Sequence, residues 1–300
     1  MQFGTSQEKN IKNAIACGIT RCMNAAFLSC SQNTPQEPDF VAELVNGIPQ
    51  DIYSNLRAYV PNYKFAVSGV FCHQKPLADF GASKKPELGD MLLAYIEENK
   101  YAVTKCNALL LQANKINKLP YIVRSSELHQ LKLYEEWPTF KLVRAGMFNG
   151  TEINVQPKTL NAGAQYLLMQ SPYKDERKVC CAYPDKKLMP EKKLSDQIID
   201  LMKFFTGRTF TISALEGDDW SKMILDLIRI SRESTFNRRV SGRVNADRLS
   251  TFGDTSLFNV LNERIVINDN LDVDSAVSCL LIYAREEREK YHQQELRFDE

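Results

Sequence analysis

The feature that most constrains this chain is a pair of strand-like segments, at residues 88–96 and 103–113, joined by a polar turn. The first segment is LGDMLLAYI and the second is VTKCNALLLQA. Two such runs around a short turn predict an antiparallel hairpin. The second run is apolar almost throughout, which is typical of a strand buried on both faces. The hairpin is therefore expected to lie at the centre of a sheet.

Helical and strand patterns surround this hairpin. Ile11, Ile15 and Ile19 recur at helical spacing and predict an amphipathic helix over residues 8–29. Asp39 is expected to cap a short helix over residues 40–46, which Gly47 and Pro49 end. Periodicity also predicts helices over residues 127–137, 195–205 and 218–231, and strands over residues 63–72, 263–268 and 276–283.

This order of elements predicts an α/β fold, with a mixed central sheet flanked by helices and a C-terminal extension. Residues 1–170 are expected to form the α/β core. Residues 171–195 hold three prolines and many charges, which predicts a surface loop or hinge. Residues 196–300 are then an extension of helices and strands, with packing on the same core as one arrangement.

Charge and composition exclude several classes of protein. The net charge is +1, from 38 Lys and Arg against 37 Asp and Glu, so any nucleic-acid binding has to use a local basic patch. The N-terminal segment has no hydrophobic signal core, and the longest apolar runs are too short to cross a bilayer. Eight cysteines without a C-x-x-C pair favour a reducing cytoplasm. The sequence thus predicts a cytoplasmic protein that is not in a membrane.

Asp90 and Gln112 lie at the ends of the two predicted strands that antiparallel pairing brings together. Their oxygens could sit beside one cation, and magnesium needs only one or two protein ligands alongside waters and a substrate phosphate. A bound metal can activate water for attack on a phosphodiester. The alternative is that Asp90 is a turn residue after Gly89 and that Gln112 merely ends a buried strand.

The phrases ELGDMLLAYI, ALLLQANK and LYEEWP, within about residues 64–140, together resemble the PD-(D/E)XK nuclease superfamily. They are most similar to bacterial proteins of unassigned role that carry an ELGDLL…LLLQAK pattern. The resemblance implies a restriction-endonuclease-like core, in which Asp90 is the first acid and Gln112 is the Glu or Gln of the second element. It implies a hydrolase that cleaves DNA with Mg²⁺ or Mn²⁺, as an endo- or exonuclease. It also implies a role in bacterial antiviral defence, with a separate ATPase, helicase or sensor subunit.

The chain departs from that pattern at one position. The lysine expected two residues after Gln112 is Asn114, and Lys115 follows it. Because strand side chains alternate between faces, Asn114 should point with Gln112 and Lys115 should point away, unless the strand bulges. Either Lys115 enters the site through a bulge, or Asn114 orients the attacking water. Both residues are therefore candidates for the catalytic site.

Other residues are candidates for supporting roles. The resemblance implies an acid from an early helix, and Glu43 is the first candidate for a third metal ligand, with Glu8 the second; the alternative for each is a solvated helix face. Glu87 is a candidate accessory carboxylate or a loop cap. His73 is a candidate general base or phosphate contact, or simply a loop histidine.

Basic residues define two candidate nucleic-acid surfaces. Lys84 and Lys85 come just before Glu87, and the second group contains Arg238, Arg239 and Arg243. The alternative for the arginines is a solvated helix end that pairs with nearby acids. The chain has no G-x-x-x-x-G-K-[ST] or G-x-G-x-x-G loop, which argues against use of ATP or NAD.

Two functions from different classes follow. The first is a metal-dependent nuclease that acts on DNA, with RNA as the alternative substrate. The second is a catalytically inactive nuclease-like protein that binds nucleic acid or a partner subunit, which Asn114 favours because it stands where the pattern has lysine. A homo-oligomer is compatible with either function.

Overall fold

The computed structural model describes residues 1–30, 34–72, 75–158, 163–172, 175–212, 217–234, 249–261 and 276–287. Within these ranges the helices are α1 (Thr5–Ser29), α2 (Glu37–Tyr59), α3 (Leu128–Glu136), α4 (Leu194–Met202) and α5 (Asp219–Ser234). None of these helices has the length and apolar character needed to cross a membrane. The predicted strand over residues 263–268 lies outside the described residues.

The strands form one large sheet and two small ones. They are, in chain order, β1 (Tyr63–Val70), β2 (Leu77–Asp79), β3 (Met91–Glu98), β4 (Thr104–Ile116), β5 (Tyr121–Ile122), β6 (Phe140–Val143), β7 (Glu152–Ile153), β8 (Ala164–Gln170), β9 (Val179–Ala182), β10 (Lys187–Leu188), β11 (Lys192–Lys193), β12 (Arg208–Phe210), β13 (Leu249–Gly253) and β14 (Ser278–Glu286).

The large sheet has the order β11-β9-β8-β4-β3-β14-β1-β13, and β12 pairs with the first part of β4. Its β3–β14 and β4–β8 pairs are parallel, and its other pairs are antiparallel. The predicted α/β fold with a mixed sheet flanked by helices is confirmed. Strand β4 lies inside the sheet, as its continuous apolar run predicts.

The two faces of the large sheet are covered differently. On one face, which we call the helix-covered face, apolar side chains of α1, α2 and α4 pack on the sheet. On the other face, the cleft face, α3, α5 and the small sheet β2-β6-β7 pack on it. Each face buries its own apolar core, so β4 is apolar on both sides.

Helix α2 is much longer than the sequence predicts. The prediction that Gly47 and Pro49 end it near residue 46 is wrong, since both lie inside Glu37–Tyr59. An added Cβ at Gly47 would lie 2.4 Å from the Cys22 sulfur, so this glycine allows α1 and α2 to approach closely. The helix continues past Pro49 because burial of Ile52 and Leu56 stabilises the turns that follow it.

The segments predicted as a hinge and as an extension contribute to the same sheet as the N-terminal segments. Between residues 171 and 195 the structure has β9 and β11, which form one end of the large sheet, and β10, which pairs with β5. From residues 196–300, β12, β13 and β14 join the large sheet, and β14 lies between β1 and β3. The sheet is therefore built from segments far apart in the chain.

Candidate active site

The β3–β4 hairpin brings Asp90 and Gln112 together, as the sequence predicts. Met91 pairs with Leu111, so the preceding Asp90 lies opposite Gln112. The Asp90 amide donates to the Leu111 carbonyl at 2.8 Å. The Gln112 amide group and, at 2.7 Å, the Ala113 backbone N–H both donate to Asp90 Oδ2. Asp90 is only 3% exposed. The register of the hairpin and these hydrogen bonds hold its carboxylate in place.

Lys75 completes this cluster, and sequence analysis did not select it. Its ammonium forms an ion pair with Asp90 Oδ1 and lies 3.5 Å from Glu87 Oε2. The chain reaches this place because Leu77 bridges to Glu87, and the Leu88 N–H donates to the Pro76 carbonyl at 2.9 Å. No spacing in the sequence links Lys75 to Asp90, since the contact depends on how this loop closes.

Lys75 is buried among several carboxylates. Burial lowers the pKa of Lys75, while Glu87 and Glu37 act in the opposite direction. Glu37 lies in the first turn of α2, where it accepts a hydrogen bond at 3.2 Å from the Lys115 N–H. With Asp90, three carboxylates influence one ammonium. These carboxylates favour the charged form of Lys75, whereas burial disfavours it.

A cleft of about 400 Å³ opens beside this cluster. Glu87 and Gln112, which contact Lys75 and Asp90, line it together with Lys85, Asn114, His129 and Arg144. Arg144 is exposed and has a φ of 56°, in the left-handed region. Lys85 is exposed and pairs with Asp79 at 2.7 Å. Two cations, Lys85 and Arg144, thus line the cleft together with two acids, Glu87 and Glu127.

The structure distinguishes between Asn114 and Lys115. Strand β4 continues without a bulge through Ile116, with Asn114 opposite Leu168 and Lys115 opposite Met169 of β8. Asn114 lines the cleft with Gln112. Lys115 turns to the helix-covered face and donates from Nζ to the Pro35 carbonyl at 2.6 Å. The alternative in which Lys115 enters the site through a bulge is wrong, because the regular strand directs its side chain away.

The structure does not bring the predicted Glu43 to Asp90. Glu43 lies on α2 near Cys22, whose pKa is raised to about 12, mainly by burial and in part by Glu43. Glu8 pairs with Lys203 at 2.8 Å. The α2 acid whose charge acts on Lys75 is Glu37, at the start of the helix and ahead of Glu43.

Of the remaining candidates, Lys84 is described by the structure, and His73 and the three arginines are not. Lys84 is exposed, and its charge together with burial lowers the pKa of His129, with burial the larger cause. The predicted His73 and the arginines Arg238, Arg239 and Arg243 lie outside the described residues.

The side chains near Asp90 match the ligand types that magnesium prefers. They offer the carboxylates of Asp90 and Glu87 and the amide oxygen of Gln112, which is buried and has no hydrogen-bond partner among the described residues. A cation beside that oxygen would satisfy it. Against this, Lys75 already pairs with Asp90, and the described residues contain no cluster of three or more His, Cys, Asp or Glu placed to hold a metal. Magnesium tolerates such a sparse set because it keeps waters and substrate oxygens as ligands.

The site combines a buried amine of lowered pKa, two carboxylates and a cleft that is lined by cations as well as acids. Such a combination suits hydrolysis of an anionic ester, since one group can take a proton while others bind the charge. No family model, curated protein or solved structure matches the chain. Its function is therefore inferred from these contacts.

Proposed function

We propose that this protein is a metal-dependent nuclease that hydrolyses phosphodiester bonds of DNA, with Asp90 at the centre of its site. The observation that carries the proposal is the cluster of Lys75, Asp90 and Gln112 beside a cleft whose lining includes Lys85 and Arg144. The restriction-endonuclease-like core implied by the resemblance belongs to the same proposal. The mixed central sheet flanked by helices supports this core at the level of fold class.

Lys75 supplies the amine that the sequence pattern lacks at Asn114. Its pKa is lowered by burial, so its neutral form is more accessible than that of an exposed lysine. In the proposed reaction, the oxygen of a water bonds to phosphorus and Lys75 Nζ takes the proton of that water. The bond from phosphorus to one sugar oxygen breaks, and the leaving oxygen takes a proton from solvent. Asp90 orients the Lys75 amine, and Gln112 holds Asp90.

Mg²⁺ or Mn²⁺ would be held by Asp90 and Glu87, with the Gln112 oxygen as a further ligand. When bound, the metal lowers the pKa of a coordinated water and stabilises charge on the phosphate. Lys85 and Arg144 of the cleft wall bind phosphate oxygens. His129 also lines the cleft and adds a hydrogen-bond donor.

The test is cleavage of plasmid DNA with Mg²⁺ by the wild-type protein and by Asp90→Asn. The substitution keeps the shape of the side chain and removes its charge, so we expect cleavage to fall by at least about a thousandfold. The matched control is Glu176→Gln, because Glu176 is also buried but bonds to Ser195, outside the cleft. Cleavage that persists in Asp90→Asn, or is lost equally in the control, would contradict the assignment.

A second function is favoured by a specific contact. Both oxygens of Asp90 are already engaged, by Lys75 on one side and by Gln112 and Ala113 on the other. A site satisfied in this way suits a catalytically inactive protein that binds nucleic acid or a partner subunit. If wild-type protein cuts neither DNA nor RNA, a salt-dependent shift of DNA in a gel would favour this alternative.

We further propose, from the resemblance, that the nuclease acts in bacterial antiviral defence with a separate ATPase, helicase or sensor subunit. The experiment is co-expression with candidate motor or sensor proteins, followed by phage challenge of cells that carry wild-type protein or Asp90→Asn. Protection that requires Asp90 would support the defence role. Equal protection by both forms would argue that any defence role does not depend on cleavage.

A further inference from the structure

Asp90 and Lys75 lie below the protein surface. Asp90 is 3% exposed and Lys75 is 8% exposed, and neither is part of the cleft wall. Glu87 and Gln112 connect the two residues to the cleft. A phosphodiester that reacts there therefore has to enter the cleft, rather than rest on the protein surface.

The size of the cleft limits what can enter. Its volume of about 400 Å³ lies near the lower end of small-ligand pockets, which span roughly 300–1,000 Å³. A cleft of this size has room for one nucleotide unit. Duplex DNA is stiff over roughly 150 base pairs, so it cannot bend sharply to push one phosphate inward without paying deformation energy.

The cleft is also lined by neutral polar groups that can bind a base. Tyr166 lies on β8 next to Gln112 in the strand register, and its hydroxyl is buried without a partner among the described residues. Tyr166 is 1% exposed and nevertheless lines the cleft. Asn114 and Gln130 add two amide groups to the same cleft. Hydroxyl and amide groups bind the hydrogen-bonding edge of a base.

We propose that the cleft takes an unpaired nucleotide, so that the substrate is single-stranded nucleic acid or an unpaired end. This rests on the proposed nuclease function. In a duplex the Watson–Crick edge of each base is occupied by its partner, and only an unpaired or flipped base presents it to a protein. Tyr166, Asn114 and Gln130 bind that edge, while Lys85 and Arg144 bind the backbone beside it.

The test uses one labelled oligonucleotide in three forms: single strand, blunt duplex, and duplex with a single-stranded tail. With Mg²⁺ we expect the single strand to be cut at least about tenfold faster than the blunt duplex, because a duplex must first be unpaired. Cuts in the tailed duplex should fall within the tail. All cutting should disappear in Asp90→Asn.

The variant that tests base binding in the cleft is Tyr166→Phe, which removes only the hydroxyl. We expect it to lower single-strand cutting by about fivefold to tenfold, the usual effect of one lost hydrogen bond. Its matched control is Tyr95→Phe, another buried tyrosine that packs on the helix-covered face. Asn114→Ala is a second variant, at a half-exposed position where misfolding is not expected.

The outcomes separate this inference from the nuclease proposal. Asp90-dependent cutting that is as fast on blunt duplex as on single strand overturns the inference and leaves the nuclease intact. If nothing is cut, binding of the same oligonucleotides is measured by fluorescence anisotropy. Tighter binding of the single strand that Tyr166→Phe weakens supports the cleft and contradicts the enzyme, whereas equal or absent binding overturns both.

Discussion

The two faces of β4 differ although they belong to one strand. On the helix-covered face Leu109, Leu111 and Ala113 are buried, and the face ends with Lys115 bonded to the Pro35 carbonyl. On the cleft face Gln112 and Asn114 interrupt the apolar run between Leu110 and Ile116 and line the cleft. The difference shows that the strand packs as a core element over most of its length and serves a site only at one end of one face.

The comparison extends to the kind of contact that each face makes. The helix-covered face depends on close packing of backbone and apolar side chains, where added volume is destabilising. The cleft face contains buried ionisable groups, where the balance of charge decides stability. The predictions below test this contrast, beginning with the largest effect.

Replacing Gly69 tests the close packing of the helix-covered face. An added Cβ would lie 1.6 Å from the Val45 carbonyl oxygen of α2, a group that Pro49 cannot hydrogen bond because it lacks an N–H. We expect Gly69→Ala to destabilise the protein by at least about 4 kcal/mol, because two backbones would have to separate. Urea unfolding measures the effect.

The control for Gly69 is Gly4→Ala, where the added carbon would meet only the flexible Gln7 side chain at 3.3 Å. We expect it to change stability by less than about 0.5 kcal/mol. Similar effects of the two substitutions would show that α2 does not pack closely on β1.

Replacing Lys75 tests the charge balance of the cleft face. Lys75→Met removes one partner of a buried ion pair and leaves Asp90 uncompensated, so we expect a loss of about 3–5 kcal/mol. Adding Asp90→Asn should restore much of that loss, because the remaining buried charge is then removed. Unfolding of both single variants and the double variant gives the coupling.

The control for Lys75 is Lys203→Met, whose ion pair with Glu8 is partly exposed. We expect it to destabilise the protein by less than about 1 kcal/mol. Additive effects in the Lys75 and Asp90 double variant would contradict the buried pair.

Asp226, on α5, tests a second charge on the cleft side, one that is partly buried. Burial raises its pKa to about 6, although Arg229 opposes the shift. The folded-state pKa exceeds the unfolded value of about 3.9, so ionised Asp226 destabilises the fold above pH 6, and this effect fades as the pH falls toward 4. We expect Asp226→Asn to stabilise the protein at pH 8 by on the order of 2 kcal/mol, allowing for the lost Arg229 pair.

Thermal unfolding at pH 8 and at pH 4.5 checks this prediction. The gain from Asp226→Asn should shrink at the lower pH, where the wild-type carboxyl is largely protonated. An equal gain at both values would show that packing, and not the charge of Asp226, causes the change.

What the sequence predicts well is local. The pairing of Asp90 with Gln112 follows from hydrophobic pattern and a short turn, because antiparallel register is fixed within one hairpin. The opposite directions of Asn114 and Lys115 follow from strand alternation, and both are as expected. These features need no knowledge of distant parts of the chain.

What the sequence does not predict depends on tertiary contacts. Gly47 and Pro49 have low helix propensity, yet α2 continues through them because close contact with α1 and buried apolar residues outweighs that propensity. Lys75 reaches Asp90 through the bridge between Leu77 and Glu87, a pairing with no pattern in the sequence. The charge of Glu37 acts on Lys75 because α2 begins at Glu37, a start that the predicted helix over residues 40–46 did not include.

The position of β14 has a consequence for how the protein is made. A ribosome releases β1, β3 and β4 long before residues 278–286, although β14 joins β1 to β3 in the finished sheet. Until then β1 and β3 each present an open strand edge, which can pair with another nascent chain. Asp90 directly precedes β3, so the strand that supports it gains its second neighbour only near the end of synthesis.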